Sequence, residues 1–384
     1  MNDLSTTKPL RNARLTIEGQ FLRHDGKTSG FDYLRIILAV GVLVWHSYGL
    51  AFGRVSIDAV LNGGWVQTII YAILPMFFAL SGFLVTASLI RANSIKTYLV
   101  FRGLRLFPAL AVEVILAALL LGPLMTALTL GAYFSDGQFF RYFLNLGGLV
   151  QYRLPGVFEN APYPYVVNGS LWTIPYELEC YLYLVFFSVI GVFSGRYFIL
   201  IAYIAVTVIS VQLGVKLSSE GIVVLIKNLI IEETTLLPNL QQATNADLHP
   251  NRIVVLSFLA GAVLYVWRDK VPCSPILAIV SLVLATWWLS SVTFFYLAPL
   301  PIAYLTVWLG LQNPPRLSVL NKGDYSYGIY LYAFPIQQVI SSTGLHGGSY
   351  IAHILLSLTI VSAFAAFSWH WIEKPSLRLK RHFL

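Results

Sequence analysis

The sequence predicts an all-α protein, a polytopic membrane bundle of about ten transmembrane helices with both termini in the cytoplasm. Three observations predict it. Of the 384 residues, 57% are hydrophobic and only 11% are charged, less than half the charge content of about 25% usual in soluble chains. Apolar stretches near the roughly 20 residues a crossing helix needs recur along the whole chain. The lysines and arginines concentrate in alternate connections between those stretches, as the positive-inside rule requires.

The stretches fall at 33–52, 67–90, 108–130, 173–193, 197–214, 252–268, 274–291, 293–310, 325–342 and 350–372. The first is interrupted only by Arg35 and His46, the third by Glu113, and the fourth opens with Glu177 and Glu179. Residues 222–231 are apolar but short and contain Lys227. They read as interfacial or re-entrant, because an eleventh crossing would invert everything after it. With the N-terminus inside, most of the basic residues are cytoplasmic, from Lys8, Arg11 and Arg14 through Arg102 and Arg105 to Lys374, Arg378, Lys380 and Arg381. The outer segments keep Arg54, Arg141, Arg153, Lys216, Lys227 and Arg252. The organisation that follows is a cytoplasmic tail over 1–30, a transmembrane unit over 31–374 and a basic tail over 375–384.

The net charge of +8 is explained by this topology and does not imply a nucleic-acid partner. Cys180 and Cys273 match no metal-ligand spacing, so no metal is expected. The first apolar stretch is too long for a signal peptide, and no small-residue cleavage site follows it. Two outer loops are long, 131–172 and 215–251. The first is rich in aromatic residues, which argues for a folded loop.

Arg35 and His46 stand out in the first helix. A charge at the bilayer centre costs about 2.5–3.5 kcal/mol on insertion scales, so such residues are functional candidates by default. Eleven positions apart, they share one helix face about 16 Å apart along the axis. Arg35 reads either as a snorkelling cation or as an anion ligand. His46 reads either as a structural histidine or as a general base, since imidazole titrates near neutrality. Arg102 and Arg105 are three apart and share a face. They are either topological charge or a phosphate clamp, because guanidinium binds phosphate bidentately. Pro108 suits the first turn of the third helix.

The segment Val167-Asn168-Gly169-Ser170-Leu171-Trp172 leads from outside into the fourth helix. Ser170 is placed to cap that helix. Glu177 and Glu179, two apart, point in different directions and do not share a role. Local spacing assigns no role to Glu113. The tyrosines of 325–332 and the Glu373–Lys374 pair read as interfacial chemistry, and His353 and His370 as structural.

In this order the motifs resemble the acyltransferase 3 family of integral membrane acyltransferases, over about residues 30–378. The family's Arg-x10-His pair matches Arg35 and His46. Its FFxLSGF signature matches Phe77 to Phe83. Its Arg-x-x-Arg followed by Pro matches Arg102, Arg105 and Pro108. The stretches Leu154–Phe158 and Val167–Glu177 are similar to those of its polysaccharide-modifying members, and Tyr325–Tyr332 and the Trp-Ile-Glu-Lys-Pro ending fit as well. One departure is Ala333, where many members have histidine. That shifts the weight onto His46.

The resemblance implies an O-acyltransferase, in the first place an O-acetyltransferase, of the bacterial cytoplasmic (inner) membrane. Cytoplasmic acyl-CoA, chiefly acetyl-CoA, is the donor, and a hydroxyl of a cell-surface or lipid-linked glycan is the acceptor. No permanently bound cofactor is implied, and membrane lipids are the remaining partner. Arg35, Arg102 and Arg105 are then expected to hold the CoA phosphates. His46 either deprotonates the acceptor or carries the acyl group. Glu177 either orients His46 or binds sugar, and Asn168, Ser170 and Trp172 line the outer mouth. A transporter of a sugar precursor or an acyl compound is the alternative. It leaves the ordered motifs unexplained, and the chain lacks the internal repeat common in transporters. A scaffold that has lost activity is a third reading.

Overall fold

The computed structural model describes residues 16–24, 26, 28–53, 64–92, 94–212, 252–291, 294–318 and 323–382. Among them there is no strand, and the elements are helices joined by short turns. The helices are α1 (Ile17–Leu22), α2 (Ser29–Phe52), α3 (Trp65–Arg91), α4 (Ile95–Met125), α5 (Leu130–Ser135), α6 (Gly137–Tyr142) and α7 (Thr173–Val189). They continue with α8 (Arg196–Gln212), α9 (Arg252–Val266), α10 (Pro275–Leu289), α11 (Pro299–Gly310), α12 (Ser326–Ser342), α13 (Tyr350–Phe367) and α14 (Lys374–Arg378).

A helix coincides with each predicted apolar stretch. Four are long and apolar enough to cross a membrane by themselves: α2, α3, α4, and the continuous run Tyr350–His382 that begins with α13. The others are shorter. Helix α9 has 15 residues, about 22 Å of rise against a hydrocarbon core of about 30 Å.

The expected 1–30 tail is partly docked. The Ile17 and Glu18 amides donate to the carbonyls of Val271 and Arg268 at 3.0 Å each, and Ile17 is buried. Helix α4 departs most from expectation. It starts at Ile95, not 108, with the Ser94 hydroxyl accepting from the Thr97 amide at 3.0 Å. Pro108 lies inside the helix, so Arg102 and Arg105 sit about two and three turns within it. Two cations near the end of an apolar run read as a flank in sequence; the cap at Ser94 puts them in the helix.

Helix α9 is the centre of the bundle. Every residue from Ile253 to Tyr265 is buried, as expected of a helix apolar on all sides. Helix α3 packs on it backbone to backbone. A Cβ at Gly82 would collide with the Phe258 carbonyl, and one at Gly261 with the Ala79 carbonyl. Small residues at such crossings let helices approach without a side-chain layer. The glycine of the FFxLSGF signature is therefore a packing residue. A second group, α2, α12 and α13, meets through Ala39, Leu43, Ile329, Ala333, Val361 and Ala365.

The aromatic loop 131–172 is folded. Phe134, Phe139, Phe140 and Phe143 form an edge-to-face cluster, a favourable aromatic geometry. The loop then dives inward. Val167, Asn168, Ser170 and Leu171 are all at most 1% exposed. Non-helical backbone at membrane depth is tolerated only where protein buries it and supplies its hydrogen bonds. Here Asn168 does so. Its Oδ1 accepts from the Ser170 amide at 3.0 Å, and its Nδ2 donates to Glu113 Oε1 at 2.8 Å and to the Leu331 carbonyl at 3.0 Å. Where the sequence leads one to expect an outer mouth, Asn168 and Ser170 are instead buried within the protein, and α7 begins at Thr173, itself buried. The 215–251 loop, with its 222–231 stretch, lies outside the described residues.

Candidate functional site

A cavity of about 190 Å³ lies between α2, α3, α4, α7 and α12. Its charged lining is Arg35, Arg102, Arg105, Glu177 and Asp324, and its polar lining includes Ser81, Thr173, Tyr181 and Tyr330. The three arginines picked from sequence therefore do converge. The FFxLSGF signature contributes Phe77, Phe78, Leu80 and Ser81 to the wall, while Gly82 faces the other way, onto α9.

The arginines are not equivalent. Arg105 reaches Asp324 at 2.7 Å and the buried Glu373 at 2.8 Å. Arg35 lies 3.4 Å from Asp32 and 3.6 Å from Asp324. Arg102 has no ion pair among the described residues. It donates to Ser88 at 3.3 Å, and its Nε is buried without a partner. Glu373 is brought to Arg105 by the wide π turn Ser368–Glu373, which also lets Ser368 donate to it at 3.0 Å. Such turns often mark functional positions.

Asp324, just before α12, is the hub of this cluster. Burial alone would raise its carboxyl. The Arg105 and Arg35 guanidinium groups and the hydrogen bonds from Ser326 outweigh burial and hold it down at about 2. A depressed folded value adds stability above the unfolded carboxylate pKa of about 3.9, lost as pH falls through about 2. Asp324→Asn should cost about 2 kcal/mol, the penalty for breaking a buried pair reduced for partial exposure. In thermal melts the deficit should stay constant between about pH 5 and pH 8, where Asp324 does not titrate. A deficit that changes across that window would contradict the assignment.

Glu177 lines the arginine cavity and accepts a hydrogen bond from Tyr181. His46, which Glu177 was expected either to orient or to leave in favour of binding sugar, does not line this cavity. The sequence shows only that Glu177 precedes an apolar helix. Because α7 starts inside the bundle, its first turns face the arginines. Glu179 goes elsewhere and pairs with Arg252, so the two carboxylates do have separate roles.

His46 lies further along α2. Its Nδ1 is buried with no hydrogen-bond partner among the described residues, and its ring meets Phe334 edge-on at 5.2 Å. Helical rise gives a consistent depth scale. Counted from Arg35, Arg105 and Ser326, Glu113 is about 12 Å in, Tyr330 about 6 Å, Phe334 about 12 Å and His46 about 16 Å. Tyr330 and Thr173, whose hydroxyls are 2.8 Å apart, both line the cavity. Phe334 is one helical turn beyond Tyr330, and neither Phe334 nor His46 lines the cavity.

The residues expected at the acceptor mouth have other surroundings. Asn168 is fully committed inside the protein. Ser170 is buried with a hydroxyl unpartnered among the described residues, and its carbonyl accepts from Tyr330 at 3.2 Å. Trp172 is half-buried, edge-on to Tyr176 at 5.7 Å. Ala333 packs at the α2–α12–α13 contact and does not line the cavity.

Sequence reasoning missed Asp324, Glu373, Ser81 and Tyr330. Their signal was present: Asp324 immediately precedes the tyrosine stretch, and Glu373 belongs to the C-terminal motif. From the sequence alone, Glu373 reads as interfacial polarity and Asp324 is assigned no role. Glu113 gains a structural role as the buried partner of Asn168, with its Oε2 unpartnered among the described residues.

An acyltransferase domain family matches residues 28–370. An "O-acetyl transferase" of Shigella phage Sf6 is 28% identical over 371 residues, covering 91% of this chain and 96% of that protein. "Nodulation protein 10" of Rhizobium leguminosarum bv. viciae is 28% identical over 379 residues, covering 92% and 95%. No solved structure matches the chain.

Proposed function

The chain belongs to this acyltransferase family, and on that premise we propose that it is an O-acyltransferase moving an acyl group, in the first place acetyl, from cytoplasmic acyl-CoA to a glycan hydroxyl. The observation that carries the reading is the cavity. It is lined by three arginines and by Tyr330, one turn from Phe334, against which His46 packs with a ring nitrogen unpartnered among the described residues. The name of the phage relative supports acetyl as the group moved.

Size limits what enters. A space of about 190 Å³ is below the roughly 300–1,000 Å³ of pockets that hold drug-sized ligands. It suits the narrow acyl-bearing arm of CoA, with the nucleotide outside the arginine end. Arg35 and Arg105 already share Asp324, so their main work is to hold α2, α4 and α12 together at the entrance. Arg102 is the cation available to a phosphate.

The arm would run past Ser81 and Tyr181 to Tyr330, bringing its thioester toward His46. His46 takes the proton of the acceptor hydroxyl as the oxygen attacks the thioester carbonyl. The C–S bond breaks, and the thiolate leaves with the proton His46 returns. Ten membrane crossings with both termini cytoplasmic put the arginine end inside and His46 toward the outside, in the bacterial cytoplasmic membrane. The acyl group then crosses while CoA does not.

Arg102→Gln tests the donor end. Losing a hydrogen bond to a charged group, about 1.5–3 kcal/mol, should raise the KM for acetyl-CoA roughly 10- to 100-fold while leaving kcat close to wild type. An unchanged KM in the folded variant would remove Arg102 from the donor site.

A further inference from the structure

The Phe334 ring stands between the cavity and the outer loop. It is one turn beyond Tyr330, which lines the cavity, and does not itself line it. Three elements hold it. His46 of α2 meets it at 5.2 Å and Tyr163 of the folded loop at 6.0 Å. Gly169 of the buried turn lies so close that a Cβ there would come within 2.5 Å of the ring. Phe334 is buried.

The next turn of α12 fixes two of these elements. Gln338 donates to the Tyr163 and Val166 carbonyls at 2.8 and 2.6 Å. Gln337 donates to the Leu43 carbonyl at 2.8 Å and to Ser47, beside His46, at 2.6 Å. The ring therefore sits in a collar tied by hydrogen bonds on two sides, with no polar atom of its own to hold a water.

We propose that Phe334 is a specificity-determining residue: a partition that keeps water from the acyl donor and reserves the acyl group for a hydroxylated acceptor. The inference rests on the acyl-CoA reading above. Water is the smallest hydroxyl and far outnumbers any acceptor. If it reached His46, its oxygen would form the new C–O bond and the C–S bond would break. One water proton would pass to the thiolate and the other to solvent as the carboxylic acid ionises. Closing a site against water is a recognised way to suppress such a side reaction. An acceptor must then displace the ring as it enters, whereas a lone water molecule lacks the contact area to do so.

The test uses purified full-length protein, acetyl-CoA as probe, and free thiol as readout without acceptor. Ester formation on host glycans measures transfer. Phe334→Ala should release thiol severalfold faster than wild type without acceptor, with reduced ester yield, and Phe334→Leu should fall between them. Adding His46→Ala to Phe334→Ala should abolish the extra hydrolysis. An unchanged ratio of hydrolysis to transfer in folded Phe334→Ala overturns the proposal. If that variant does not fold, the same result with Phe334→Leu overturns it. Extra hydrolysis that survives loss of His46 overturns it too, since the water would be reacting elsewhere. If wild type turns over no acetyl-CoA with or without acceptor, the acyl-CoA reading fails and this inference with it. Wild-type turnover with an unchanged ratio defeats the partition alone.

Discussion

His46→Ala should reduce acyl transfer roughly 100- to 10,000-fold, the contribution of a positioned general base, while the protein still inserts and purifies. The asymmetry between activity and stability is the diagnostic part. His46 Nδ1 makes no hydrogen bond among the described residues, so truncation loses none there, and the ring's main aromatic contact is one edge-on meeting with Phe334. His353 is the contrast. It is fully buried, and although its Nδ1 is likewise unpartnered among the described residues, its Nε2 lies 2.8 Å from the Ser341 hydroxyl and 3.3 Å from the Gln337 carbonyl, as in a structural histidine. His46→Gln should be as inactive as His46→Ala, since an amide cannot take the proton. Folded His46→Ala with wild-type ester yield in cells would remove His46 from the chemistry.

Gly82→Val should prevent accumulation of folded protein. The first added carbon already meets the Phe258 carbonyl, and Phe258 is at the middle of the fully buried α9. No rotamer change relieves a clash with backbone, so α3 must move off α9. Overpacking a tight core costs about 1–3 kcal/mol, sometimes more, and here two helices must separate. Loss of the monodisperse peak in detergent is the expected result. Gly103 is a control within a helix, because a Cβ there meets nothing closer than the Phe107 ring at 3.6 Å; Gly103→Ala should purify normally. Equal yields from Gly82→Val and wild type would contradict the packing.

The helical class and the positions of the apolar helices were legible because hydrophobic runs need no tertiary information. The three arginines were legible because cations beside apolar runs are costly enough to notice. Three features were not. The start of α4 was missed because the cap at Ser94 is a single hydroxyl, whereas Arg102 and Arg105 dominate the local composition. The direction of Glu177 was missed because helix periodicity fixes which residues share a face but not which neighbour that face meets. The burial of Asn168 was missed because its main partner, Glu113, is 55 residues away; a polar turn in an outer loop reads as surface until that contact is known. The consequence reaches the candidate site: the buried turn places Thr173 and Glu177 on the wall of the arginine-lined cavity and Gly169 against Phe334.

The most direct measurement of the central claim follows the acyl carbon itself. Purified wild-type protein in lipid vesicles is given acetyl-CoA labelled in the acetyl group, together with a glycolipid extract from host membranes. Label should appear in the glycolipid fraction in an ester released by mild alkali, with one free CoA thiol per ester, and His46→Ala should give neither. Label that stays on CoA with wild-type protein, or that enters vesicles unchanged as a transporter would carry it, would contradict the account.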